Sequence, residues 1–137
     1  MGVSADSPYT DIAYKLVQSD GRPVMKLSSG KKTLVAPKQV FRKEKNGRLT
    51  VDTIALREEM LEGEPLLRTV MRGGKRTGER ESLETIRSRF KEEFEKLTPE
   101  TKSIKKPQMH PVGISDRLER LQQRFKHRII EKELGES

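Results

Sequence analysis

Residues 39–54 read Gln39-Val40-Phe41-Arg42-Lys43-Glu44-Lys45-Asn46-Gly47-Arg48-Leu49-Thr50-Val51-Asp52-Thr53-Ile54. Two runs rich in β-branched and apolar residues flank Asn46-Gly47. That dipeptide accepts the positive φ angles that a two-residue hairpin turn needs to match strand twist. The stretch therefore predicts an antiparallel hairpin. Two further turns of the same kind lie on either side. Asp20-Gly21 separates 12–17 from 24–27, and Gly73-Gly74 separates 66–72 from 75–77. Alternation is clearest at Ile12, Tyr14 and Leu16, which share one strand face. Pro23 has no N–H to give a ladder, so its strand starts after it or lies at an edge. Residues 54–62, with Ile54, Leu56, Met60 and Leu61, admit a short helix ended by Gly63.

Beyond this region the period changes. Leu83, Ile86, Phe90, Phe94 and Leu97 recur at spacings of three and four, which stacks them on one helical face. Ser82 is suited to N-cap that helix, and Glu84 to its first turn. Glu84/Arg87 and Glu92/Lys96 have the favourable acid-first order. Thr98-Pro99 opens a further turn with proline at the first helical position. A polar connector runs over 102–111, and a last helix opens at Ser115-Asp116 with Leu118, Leu121, Phe125 and Ile129 as its stripe. Gly135 ends it. Stripes of this kind are read as core rather than cofactor contacts. The reading is α+β: a β-hairpin meander over 1–78, then two or three helices over 79–137, together one partial domain. The early strands are too short and polar to close a sandwich by themselves.

With 137 residues there is room for one domain. Hydrophobic residues make up 31% and charged residues 36%, against roughly half and a quarter in a typical globular domain. Such a chain is either partly disordered or has stripes that belong to a core completed by other polypeptide; the turn and strand signals favour the latter for 12–97. The formal charge of +8 would suit nucleic acid. The excess is spread, however, and the densest stretch (Lys31, Lys32, Lys38, Arg42, Lys43, Lys45, Arg48) has almost no aromatics for base stacking. No cysteine is present, which excludes disulfides and thiolate zinc sites. No secretory signal or spanning apolar run is found, so a cytoplasmic location is expected.

Catalytic constellations are nearly absent. His110 lies beside Pro111 in the connector, and His127 lies among Arg124, Lys126 and Arg128. Neither has an acidic neighbour at ligand spacing, and both are read as surface or spacer residues. Gly73-Gly74 followed by Lys75-Arg76 could receive an anion, but without a strand–loop–helix context a hairpin tip explains it better. No catalytic, cofactor-binding or metal-ligating residue is assigned.

Several blocks, in order, resemble a known family. They are Tyr14-Lys15-Leu16-Val17, Gly21-Arg22-Pro23-Val24-Met25-Lys26-Leu27-Ser28, Lys38-Gln39-Val40-Phe41-Arg42, Gly63-Glu64-Pro65-Leu66-Leu67-Arg68-Thr69-Val70-Met71, Ser82-Leu83-Glu84 and Pro111-Val112-Gly113-Ile114-Ser115-Asp116-Arg117-Leu118. Together they resemble the C-terminal part of nicotinate phosphoribosyltransferases, a type II phosphoribosyltransferase family, from Asp6 to about Phe125. The resemblance implies an irregular α/β barrel with an open-faced sheet domain that the C-terminal segment returns to complete. It also implies synthesis of nicotinate mononucleotide from nicotinate and phosphoribosyl pyrophosphate, with ATP and Mg, through a phosphorylated histidine. No position here matches the family's phosphohistidine motif, its phosphate loop or its phosphate-binding arginines, so the chemistry is expected upstream. The chain alone is expected to be inactive, to bind no cofactor, and to partner the remainder of the enzyme, a second subunit or itself. Where the family has Leu-Pro-Gly before Lys38-Gln39, this chain has Leu34-Val35-Ala36-Pro37, and Ala36 resists the positive φ that glycine accepts. Lys38 and Gln39 are read as structural. Three readings stand: an enzyme tail, a stand-alone non-catalytic subunit or regulator, or a basic nucleic-acid-binding module.

Overall fold

The computed structural model describes residues 15–28, 31–133 and 135. In chain order the elements are β1 (Gln18–Ser19), β2 (Arg22–Pro23), β3 (Leu27–Ser28), β4 (Lys31–Lys32), β5 (Lys38–Lys45), β6 (Arg48–Leu56), β7 (Glu64–Pro65), β8 (Met71–Arg72), β9 (Lys75–Arg76), α1 (Leu83–Lys96), α2 (Pro99–Lys102), β10 (Val112–Ile114) and α3 (Asp116–Glu133). The fold is α+β, as the change of period indicates. Lys38–Arg120 form one compact unit; the other is drawn from Met1–Pro37 and Leu121–Ser137.

The larger unit is organised by the β5–β6 hairpin. Its turn is Asn46-Gly47, with φ of 53° and 71°. Pairing starts at Lys45↔Arg48 and Glu44↔Leu49, then shifts so that Lys43 faces Val51. Thr50 is the extra residue of this bulge, and its hydroxyl donates to the Lys43 carbonyl at 3.1 Å. The four strands of the sheet run β10-β6-β5-β7. β5–β6 and β5–β7 are antiparallel, whereas β10 joins β6 in parallel, Val112 opposite Asp52. Phe41, Leu49, Ala55, Leu56 and Leu118 are the buried apolar residues of this unit.

Several expectations change here. Residues 54–62 hold no helix: β6 runs to Leu56 and a turn follows. Gly63 ends no helix either. At φ 121° its missing side chain lets the backbone approach β5, since a Cβ would stand 2.6 Å from the Arg42 carbonyl oxygen. The connector delivers β10, a strand too short for periodicity to reveal. α1 is capped as expected, Ser82 Oγ accepting from the Thr85 N–H at 3.1 Å, yet no residue of it is buried. The part of its stripe from Leu83 to Phe94 is therefore not core among the described residues. Lys96 pairs with Glu93 and Glu44, each at 3.0 Å, rather than with Glu92, and Glu84–Arg87 is not among the ion pairs of the described residues. Thr98 caps α2, with Pro99 at its start.

In the smaller unit, Asp20 and Gly21, with φ of 46° and 74°, make the β1–β2 turn. Of the strand expected over 12–17, residues 12–14 lie outside those described, and the ladder begins only at Gln18. Pro23 sits within β2, an edge position in a two-stranded ribbon. The Gln122 amide ties 33–35 to α3, accepting from Val35 N–H at 2.9 Å and donating to the Thr33 carbonyl at 3.2 Å. Ala36 is buried at φ 61°. Alanine thus occupies the left-handed conformation that glycine would take without strain.

Candidate functional site

The strongest concentration of buried charge lies on the β5–β6 ladder. The register places Arg42 opposite Asp52. Arg42 Nε donates to Asp52 Oδ1 at 2.9 Å, and Nη2 donates to Oδ2 at 2.7 Å, a bidentate pair. Its remaining nitrogen, Nη1, reaches Glu93 Oε2 of α1 at 3.4 Å. The hydrogen bond and the charge of Arg42 hold the Asp52 carboxyl below the usual range, with a smaller contribution from His110. The same bond raises Arg42.

His110 completes the cluster. The main chain of the next residue explains its position, since the Pro111 carbonyl accepts from the Asp52 N–H at 3.0 Å where β10 joins β6. His110 Nε2 stands 3.5 Å from Asp52 Oδ1, is shielded from solvent, and makes no hydrogen bond. That distance permits charge attraction if the ring is protonated but is long for a hydrogen bond. The surface role expected of His110 is thus corrected: its acidic neighbour comes from a strand distant in sequence. His127 is exposed and pairs with Glu131 at 3.1 Å, one turn along α3.

Beside this network, a cleft of about 860 Å³ is lined by Arg42, Glu64, Arg68, Arg76, Arg89 and Glu93 among others. Its charges are largely matched internally. Arg68 meets Glu64 at 3.1 Å, and Arg89 clasps Glu81. Thr77 Oγ1, also on the wall, donates to the Thr69 carbonyl. Gly73 and Gly74, with φ of 56° and 75°, form only the β8–β9 hairpin tip. Gln39 Nε2 donates to the Leu67 carbonyl at 2.9 Å and its Oε1 accepts from Leu67 N–H at 2.8 Å. This amide joins β5 to the chain leaving β7, the linking role its sequence position suggested. Burial lowers the Lys38 ammonium pKa. Among the described residues, no three of His, Cys, Asp and Glu converge as a metal site. The arrangement offers neither a nucleophile paired with a base nor converging backbone N–H groups for phosphate.

Comparison with known proteins places this fold. A family model described as the nicotinate phosphoribosyltransferase C-terminal domain matches residues 60–122, from the end of the β6 turn into α3. The chain is similar to the C-terminal region of nicotinate phosphoribosyltransferases. It is 38% identical over 118 residues to nicotinate phosphoribosyltransferase pncB2 of Mycobacterium tuberculosis, in strains CDC 1551 and H37Rv. That match takes in 85% of this chain but only 26% of the relative. The crystal structure of human nicotinic acid phosphoribosyltransferase superposes with a TM-score of 0.72 at 25% identity, over 83% of this chain and 26% of the human one. The chain thus spans about a quarter of the length of the nicotinate phosphoribosyltransferases it matches. The matched segment contains β7 to β10 and both short and long helices between them. No helix among the described residues is long and apolar enough to cross a membrane.

Proposed function

We propose that this chain is the C-terminal, non-catalytic portion of a nicotinate phosphoribosyltransferase, acting in NAD biosynthesis in the cytoplasm. The family match over residues 60–122 carries this reading. Joined to the rest of such an enzyme, it would support formation of nicotinate mononucleotide and pyrophosphate from nicotinate and phosphoribosyl pyrophosphate. ATP, phosphoribosyl pyrophosphate and Mg belong, in this reading, to that other portion. The ion network described above supplies rigidity, not chemistry, and Arg42 and Asp52 serve the sheet.

The test uses two proteins. One is the 137-residue chain alone. The other is the Mycobacterium tuberculosis relative with its matched C-terminal quarter exchanged for this chain. With nicotinate, phosphoribosyl pyrophosphate, ATP and Mg, the chimera should form nicotinate mononucleotide and the isolated chain should not. Turnover by the isolated chain would overturn the non-catalytic reading, and a chimera that fails to fold would overturn the family role.

A further inference from the structure

We infer that the outward stripe of α1 is the surface on which this chain docks against the catalytic portion of its phosphoribosyltransferase. The inference rests on the functional reading just given and names the contact through which it operates.

The observation is an amphipathic helix mounted the unexpected way round. Leu83, Ile86, Phe90 and Phe94 are 69%, 42%, 66% and 39% exposed. The Phe90 and Phe94 rings lie 5.7 Å apart in a stacked arrangement. What holds α1 in place is polar. Glu93 reaches Arg42 at 3.4 Å, and Lys96 reaches Glu44 at 3.0 Å. Arg48 Nη1 donates to the Glu95 and Leu97 carbonyls at 3.0 and 2.9 Å, satisfying the helix C-terminus. Lys102 closes on Glu95 at 2.9 Å. Seven charged side chains thus fix the helix by its flank and last turn, while no residue of its apolar face is buried.

Spacings of three, four and four are those by which a helix engages an apolar groove. Because α1 is already formed and anchored, docking it costs little ordering entropy. The occupant follows from the comparisons. Both the Mycobacterium tuberculosis relative and the human structure hold this region within chains of which it is only 26%. α1 lies wholly within the segment that matches the family, residues 60–122. An apolar face in the shared region therefore has the rest of that polypeptide available to cover it.

The experiment compares the double substitution Ile86→Ser/Phe90→Ser with Ser88→Asp, which lies on the opposite face of α1. Each is made in the isolated chain and in the chimera. In the isolated chain neither should alter the circular dichroism or the melt, because the stripe is exposed there. In the chimera the double substitution should lower Tm by about 5 °C or more and kcat/KM by at least about tenfold, while Ser88→Asp leaves both unchanged. An active chimera indifferent to the double substitution would overturn the docking surface and leave the functional reading intact. Unfolding of the isolated chain by the double substitution would make the stripe a core and overturn the inference. So would a stripe-dependent dimer of the isolated chain beside an unaffected chimera, since the occupant would then be a second copy. A wild-type chimera without fold or activity would overturn the functional reading itself, and the docking with it.

Discussion

Arg42 and Asp52 stand directly opposite one another on adjacent strands, and the guanidinium grips both carboxylate oxygens, at 2.9 and 2.7 Å. The Asp52 side chain is largely buried, so the pair is a partner-dependent element of the sheet. Replacing Arg42 by Met keeps the volume and strands a carboxylate. The expected cost is about 2–4 kcal/mol at neutral pH, measured by urea melts. A cost under half a kcal/mol would show that solvent reaches Asp52 freely.

The same pair sets a pH dependence. Arg42 lowers the Asp52 pKa in the folded state, so the carboxylate contributes stability above its unfolded value of about 3.9. That contribution is lost as pH falls through the folded value. The stability difference between wild type and Asp52→Asn should be largest near neutrality and shrink below about pH 4. A difference that grows on acidification would contradict the pairing.

Ala36 is a place where substitution should help. Its φ of 61° is a conformation that disfavours a Cβ. Ala36→Gly relieves that strain but enlarges the unfolded ensemble, leaving a net gain of about 0.5–1 kcal/mol. Thermal melts at matched concentration decide it, and a lower Tm would refute the strain.

Gly63 is the converse. A Cβ there would lie 2.6 Å from the Arg42 carbonyl oxygen at φ 121°. Gly63→Ala should destabilise by about 2–4 kcal/mol, from backbone strain together with displacement of β5. An unchanged melt would mean that the β5–β7 contact is looser than this spacing.

Glu59 and Ser115 should behave as one unit. Glu59 Oε2 accepts from the Leu56 N–H at 2.7 Å and from Ser115 Oγ at 2.9 Å, while Ser115 Oγ accepts from the Leu118 N–H at 3.2 Å. Glu59→Ala and Ser115→Ala should each cost about 1–3 kcal/mol. The double variant should cost clearly less than their sum. Strict additivity in the cycle would separate the two.

The hairpin was legible because Asn46-Gly47 is a local signal, and so were the Ser82 and Thr98 caps. The Arg42–Asp52 pair was not, for a definable reason. Counting outward from the turn sets Arg42 against Val51; the extra residue at Thr50 moves it to Asp52. No pattern in the strand marks a bulge there. β10 is invisible in the sequence because three residues with a central glycine carry no period, and a parallel partner distant in sequence leaves no local trace. The helical period of α1 is plain in the sequence, but a period reveals which residues share a face and not what covers it. The surroundings of His110 are hidden from the sequence for the same cause as β10: its neighbour, Asp52, is assigned by that long-range pairing.

The parallel seating of β10 on β6 also orders events during synthesis. The β5–β6 hairpin closes between neighbours and can form as soon as Leu56 has emerged, but the other margin of β6 waits until Ile114 is made. Throughout that interval a nine-residue strand carries an open row of backbone donors and acceptors. The nascent chain is therefore most prone to mispairing between the translation of β6 and that of β10, and a pause there would lengthen the exposure.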